Sequence, residues 1–181
     1  YWYRYMTTCT MVNAWDSLAQ ALNGMDKDGD LIFITDNRVL VDNVRETPTI
    51  FCVQRKGEKK EVSEDDLVRA NIASFGDDIG RTTNWITSMF DVQANFSVDS
   101  EEYRVLDYRI KCGQLFQQNC IDKAKGIICK PMPRYWYDRH ANTLHEDHTE
   151  ADVARRDLNA RIVADKKPYF MRYIYPTLMS Q

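Results

Sequence analysis

Short apolar runs crowd the first third of this chain, and helix-spaced apolar positions dominate the rest. LIFI, at residues 31–34, is bounded by polar residues and predicts a buried strand. RVLVD (38–42) and TIFCVQR (49–55) are two more strand candidates. Ahead of them Val12, Trp15, Ala19 and Leu22 fall at roughly helical spacing with Gly24 as a stop, which predicts a short helix. Further on, Ser63 followed by Glu64, Asp65 and Asp66 predicts a capped helix over 65–73. Residues 77–94 predict another, with Gly80 as its weak point. The clearest element spans 100–125: Ser100 caps it, Glu101 and Glu102 suit the helix dipole, and Gly126 ends it. Tyr103, Leu106, Ile110, Leu115 and Ile121 give it an apolar side.

Two prolines exclude a regular helix from IICKPMPRYWYD (127–138), which reads as an extended arm. Thr149, with Asp152 three residues on, starts a last helix running to about residue 164. KKPYFMRYIYP (166–176) reads as a strand or extended tail. Strands early and helices late predict an α+β fold, with residues 1–62 forming one part and 63–181 a mainly helical module.

Composition narrows the class. The chain has 181 residues, 44% hydrophobic and 28% charged, as expected of a globular domain. No apolar run reaches the ~18–20 residues of a membrane span, so no membrane partner is expected. The opening, YWYRYMTTCT, has no secretory h-region and reads like the middle of a domain, so the chain is expected to be a fragment of a longer protein. The 5 cysteines form no CxxC pair and are odd in number; reduced thiols in a cytoplasm fit better than a zinc ribbon or disulfide framework.

The net charge of −3 conceals an asymmetry. Residues 1–102 carry 10 Lys/Arg against 18 Asp/Glu, whereas residues 103–139 carry 8 against 3. Within the acidic part lies NGMDKDGD, with Asp26, Asp28 and Asp30 at alternate positions and Gly29 between the last two. Carboxylates converged on one point repel unless a cation sits there, so the run suggests a hard divalent metal site. An EF-hand loop would need Gly at its sixth position and a bidentate Glu at its twelfth, where this chain has Leu31 and Asn37. A plain Asp-Gly-Asp turn before a strand is the other alternative.

The DxDGD core, preceded by a small loop and followed by an apolar run, resembles the active-site signature of RNA polymerases of the double-psi β-barrel type. The multisubunit enzymes have NADFDGD there, and the RNA-dependent polymerases of RNA silencing have a loop like SGSDLDGD. Gly24 matches the glycine of the silencing type; Lys27 departs from the Phe of the multisubunit type. Downstream, SFGDDIGRTTNWITSMFDVQANF, YRVLDYRIKCGQLFQQNCIDKAKG and KPMPRYWYD resemble the post-catalytic region of phage-encoded single-chain two-barrel polymerases.

This resemblance implies part of a double-psi β-barrel carrying the metal loop. It also implies magnesium held by Asp26, Asp28 and Asp30, and nucleotidyl transfer from NTPs to an RNA 3′-hydroxyl on a DNA or RNA template. The second barrel would come from sequence upstream, leaving this fragment inactive alone, and the compartment would be a bacterial host's cytoplasm. A non-enzymatic divalent-cation-binding module is the alternative function.

Three other clusters bear on partners. Lys123, Lys125, Lys130 and Arg134, with Tyr135, Trp136 and Tyr137, suggest a basic and aromatic arm that holds nucleic acid. Gln114, Gln117 and Gln118 either line a channel or form a polar helix face. His140, His145 and His148 match no common zinc spacing and read as a surface loop. Asp77 and Asp78 read as helix-start residues.

Overall fold

In the computed structural model the helix-spaced stretches fold as helices and the short apolar runs do not fold as strands. All residues are described except 1, 6, 23–24, 27–28, 60, 75, 143–148 and 181. The chain divides into two compact units, Tyr1–Cys52 and Val53–Gln181.

The first unit contains a 3₁₀ turn at Trp2–Tyr5 and two single-turn helices, α1 (Leu18–Ala21) and α2 (Arg38–Val41). The helix predicted over 12–24 shrinks to α1 because side chains compete for its backbone. Asn13 Oδ1 accepts from the Trp15 amide and Asp16 Oδ1 from the Leu18 amide, both at 3.0 Å. The second strand candidate becomes α2 because Asn37 acts as its N-cap, its Oδ1 accepting from the Val39 amide at 3.0 Å. No described residue of this unit is buried, and Leu31, Phe33 and Ile34 lie open to solvent.

The second unit is built on α3 (Glu64–Ser74), α4 (Asp78–Gln93), α5 (Glu101–Ile121), α6 (Glu150–Ile162) and a terminal turn α7 (Tyr175–Met179). The cap residues act as their positions predict. Ser63 and Asp66 bond reciprocally through side chain and backbone at the start of α3. Ser100 Oγ accepts from the Tyr103 amide, and Thr149 Oγ1 from the Asp152 amide. α5 runs through Gly113 without a break and tightens into a 3₁₀ turn at Asp122–Lys125. Gly126 then stops it with φ +78°, a left-handed conformation that favours glycine.

The core is one cluster. Ile86 and Met89 of α4, Leu106 and Ile110 of α5, Met132 and Trp136 of the arm, and Ile162 and Ala164 around the end of α6 bury together. Gly113 sets how closely α4 and α5 approach: a β-carbon there would stand 2.7 Å from Ile86 Cγ1 and 3.2 Å from its Cδ1.

This architecture corrects the α+β expectation and, with it, the double-psi β-barrel. Among the described residues there is no strand and no sheet, only an isolated antiparallel bridge between Lys56 and Ile127. A barrel needs each strand's amides and carbonyls paired on both sides. Residues 31–37 have no ladder partner, and in 49–55 the backbone pairing is confined to the bridge, where Arg55 O accepts from the Ile128 amide at 2.8 Å. The predicted tail strand coils instead. Pro168 O accepts from the Met171 and Arg172 amides, opening a π-helical turn at Phe170–Ile174 that leads into α7. The Leu106 and Ile110 side of α5 consequently packs on α4, the arm and α6, with no barrel beneath it.

Glycines 80 and 113 test this packing in opposite directions. Gly113→Ala is expected to destabilise by on the order of 1 kcal/mol net, overpacking of about 1–3 kcal/mol outweighing a helix gain of about 1 kcal/mol. Nothing lies within 4 Å of a β-carbon at Gly80. Gly80→Ala should therefore stabilise by a few tenths to about 1 kcal/mol. Urea unfolding of both variants decides, and adding Ile86→Ala to Gly113→Ala should cost less than the two single changes together.

Candidate functional site

The aspartate loop turns at Gly29, whose φ of +123° is accessible to glycine and strained for other residues. The turn brings the Asp30 carboxylate back onto the start of the loop, where its Oδ2 accepts from the Asp26 amide at 3.1 Å. Asp26 and Asp30 are both exposed, and Asp28 lies outside the described residues. Among the described residues no group of three His, Cys, Asp or Glu side chains is arranged to hold a metal. The donors the sequence offers here are hard carboxylate oxygens from one short loop, which suits magnesium or calcium and not a soft metal.

The basic residues predicted to hold nucleic acid lie in the second unit, three of them already facing carboxylates. Lys123 Nζ sits 3.2 Å from Asp78 Oδ2, Lys125 Nζ 3.1 Å from Asp122 Oδ1, and Arg134 Nη2 3.1 Å from Asp138 Oδ2. Lys130 is exposed and has no ion-pair partner among the described residues. All three paired cations are solvent-accessible; the Lys123–Asp78 pair is open on both sides and worth only ~0–1 kcal/mol, whereas Asp122 and Asp138 are buried and keep the Gln118 and Lys166 donors if their partner leaves. Lys123 and Arg81, by hydrogen-bonding the Asp78 carboxylate, hold its pKa below the ordinary value.

The aromatic half of the arm does not offer free faces for stacking. Trp136 is buried, with Phe116 and Tyr135 edge-on to it. Tyr137 stacks on Trp85 with ring centroids 3.7 Å apart and planes 6° off parallel. Amphipathic rings next to Met132 fill the core before they can serve a ligand. The glutamines also turn inward: Gln117 Nε2 donates to Thr83 Oγ1, and buried Gln118 donates to Asp122 Oδ2, both at 2.7 Å. His140 is exposed, while His145 and His148 lie outside the described residues. Asp77 stands at the N-cap of α4 without a side-chain cap bond.

Asp122, buried like Asp138, is held by two glutamines as well as by Lys125. Burial alone would raise its pKa; hydrogen bonds from Gln54, Gln118 and Lys125 outweigh burial and hold it below the ordinary value. Gln54 reaches it at 2.7 Å from the segment that carries the Lys56 bridge, so Asp122 pins that segment to the end of α5.

Sequence reasoning passed over a second basic group. Arg139, Lys166, Lys167 and Arg172 converge on a cavity of about 370 Å³ together with Asp138 and Asp165. The only signal in the sequence was the Lys-Lys pair at 166–167, and the fold alone brings it to Arg139. The chain matches no known family model, and comparison with curated proteins and with solved structures likewise finds no match.

A carboxylate whose folded pKa is depressed stabilises the protein above its unfolded pKa of about 3.9 and ceases to as the pH falls through its folded value. Asp122→Asn is therefore expected to cost on the order of 2 kcal/mol at pH 7, the scale of a hydrogen bond to a charged group. Between pH 5 and pH 2 the variant should lose less stability than the wild type. Urea unfolding at pH 7 and pH 3 measures both effects, and parallel acid limbs would show that Asp122 is not the group responsible.

Proposed function

We propose that the chain carries the divalent-metal loop of a magnesium-dependent nucleotidyltransferase that makes RNA on a nucleic-acid template. The observation that carries this reading is the loop itself: a left-handed turn at Gly29 in the middle of a DxDGD run, closed by the Asp26 amide on the Asp30 carboxylate. The turn returns the Asp30 carboxylate to the Asp26 backbone, so the two outer aspartates of the run lie closer than on an extended strand entry. Asp26, Asp28 and Asp30 would hold the ion through short, hard oxygen donors. Bound there, magnesium supplies activation of an RNA 3′-hydroxyl and offsets charge on the α-phosphate of an NTP.

The chain's own contribution is to position and to neutralise. Asp30 is steadied by the Asp26 amide, so its carboxylate is held in place before any ligand arrives. Lys130 would take a backbone phosphate directly, and Lys123, Lys125 and Arg134, themselves solvent-accessible, would do so by leaving their carboxylate partners. Either DNA or RNA satisfies this chemistry as template.

Asp28→Ala is expected to abolish RNA synthesis by the complete protein, a loss of at least a hundredfold, while circular dichroism stays that of the wild type. The assay supplies magnesium, all four NTPs and single-stranded or double-stranded templates, with and without a primer. Magnesium titration of the same pair of proteins should show binding weakened by the substitution. A wild type that makes no RNA on any template, but loses magnesium binding on substitution, is a cation-binding module and overturns the polymerase reading. A variant that polymerises normally removes the aspartates from the catalytic centre.

A further inference from the structure

We propose that the cavity between the turn at residues 137–140 and the segment 164–172 binds the phosphate groups of a nucleotide. The assignment goes beyond the metal loop and does not depend on it, since every residue concerned belongs to the second unit.

Four cations and two carboxylates face this space, so its walls carry a net positive charge whatever the state of His140. Two of the cations are spoken for. Lys166 Nζ lies 3.2 Å from Asp138 Oδ2, and Arg172 Nη1 lies 2.6 Å from Asp165 Oδ2. The side chains of Arg139 and Lys167 have no hydrogen-bonded or ionic partner among the described residues. Unlike-signed charges held in pairs fix the frame, and the two unopposed cations supply the attraction. A concave wall strengthens the field of this net positive charge, because low-dielectric walls focus field lines into a cleft.

The frame is rigid where it needs to be. Asp138 is buried, and it accepts from Arg134, from Lys166 and from the His140 amide at 3.1 Å. Those bonds, from Arg134 first, keep its carboxyl ionised well into the acid range. The His140 contact starts the 3₁₀ turn Arg139–Ala141, which fixes the backbone of Arg139. Lys167 is followed by Pro168, whose side chain is fully buried, so its backbone is anchored as well. The Ala164 amide donates to Trp136 O at 3.1 Å and ties the two walls together.

The ligand class follows from size and chemistry. A volume of about 370 Å³ falls in the small-molecule range of about 300–1,000 Å³. Arg offers a planar fork and Lys a point charge, and both suit a phosphate better than a neutral group. Tyr137, whose ring is stacked on Trp85, also lines the space. The phosphate could belong to a free nucleotide or to a nucleic-acid chain.

Titration with ATP, and separately with a single-stranded oligothymidylate, tests the assignment. EDTA is present throughout, so that the aspartate loop cannot take part through a metal. ATP is expected to bind the wild type in low salt and more weakly as salt rises. The double substitution Arg139→Ala, Lys167→Ala should weaken binding at least tenfold with the helical circular dichroism unchanged. Arg104→Ala, at an exposed cation of α5 outside the cavity, should bind as the wild type does. If only the oligothymidylate binds, and the double variant loses it, the phosphate chemistry stands and its source is a nucleic-acid chain. Absence of binding by both probes, or binding that the double variant retains, overturns the proposal. None of these outcomes bears on Asp28 or on RNA synthesis, so the two readings fail separately.

Discussion

The second unit depends on how closely α4 and α5 can approach. Gly113 has no side chain to hold Ile86 away, and Ile86 fills the space a β-carbon would need. Met132, between the two prolines, and Trp136, beyond them, join the same cluster, and Ile162 and Ala164 join it from the end of α6 and just after it. Interiors are packed to near crystal density, so a shift of one helix would propagate to all of these residues. The arm is held by this contact more than by any pairing of its backbone. Expected to be extended throughout, it instead coils after Pro133 into a 3₁₀ turn at Arg134–Trp136, and its side chains supply the burial that a strand in a sheet would otherwise find.

A charge sits inside that packing. Arg109 is 6% exposed and has no ion-pair partner among the described residues. Its Nη2 donates to Asn159 Oδ1 at 2.6 Å, and its guanidinium carbon lies 5.5 Å from the ring centroids of both Tyr135 and Trp136. Burial pushes its pKa down to about 10, still far enough above neutrality to keep it charged. Aromatic faces attract a desolvated cation, and arginine also stacks on them. Asn159 is the second half of the device: its Nδ2 donates to Tyr135 O and to Asn142 Oδ1. One polar pair thus links α5, α6 and the arm in a definite register, which apolar contacts alone would leave freer to slide.

Elements whose cues are local were legible in the sequence. Ser63, Ser100, Thr149 and Gly126 each act within a few residues of themselves, and the helices they bound begin and end close to where those residues stand. What misled was the short apolar run. LIFI and TIFCVQR have strand composition, but a strand exists only as part of a ladder, and composition carries no information on whether a neighbour is there. RVLVD failed for a nearer reason, an Asn cap whose preference for a helix start outweighed two valines. In the aspartate loop the glycine-dependent turn was legible, because alternate aspartates around Gly29 point to one. The destination of the arm's aromatics was not. Proline, arginine and tyrosine in a row describe an exposed ligand-binding segment as well as they describe one folded back on Trp85 and Phe116.

The same distinction applies to charge. A run of cations in sequence suggests a basic surface, yet the field outside the protein depends on which of them lack a carboxylate in space. Lys123 and Lys125 are largely neutralised by Asp78 and Asp122, and those pairs must open before a phosphate can take their place. Asp138 is shared by Arg134 and Lys166, so one positive charge remains there even with every pair intact. Among the described residues Arg139 and Lys167 have no carboxylate to leave. A polyanion releases counterions when it meets such groups and displaces nothing from the protein, so the cost of contact is lower than at a paired lysine. Among the described residues the cations of this unit that face no carboxylate therefore include Lys130 in the arm, Arg139 at the end of the basic stretch 103–139, and Lys167, which only the fold brings beside that turn.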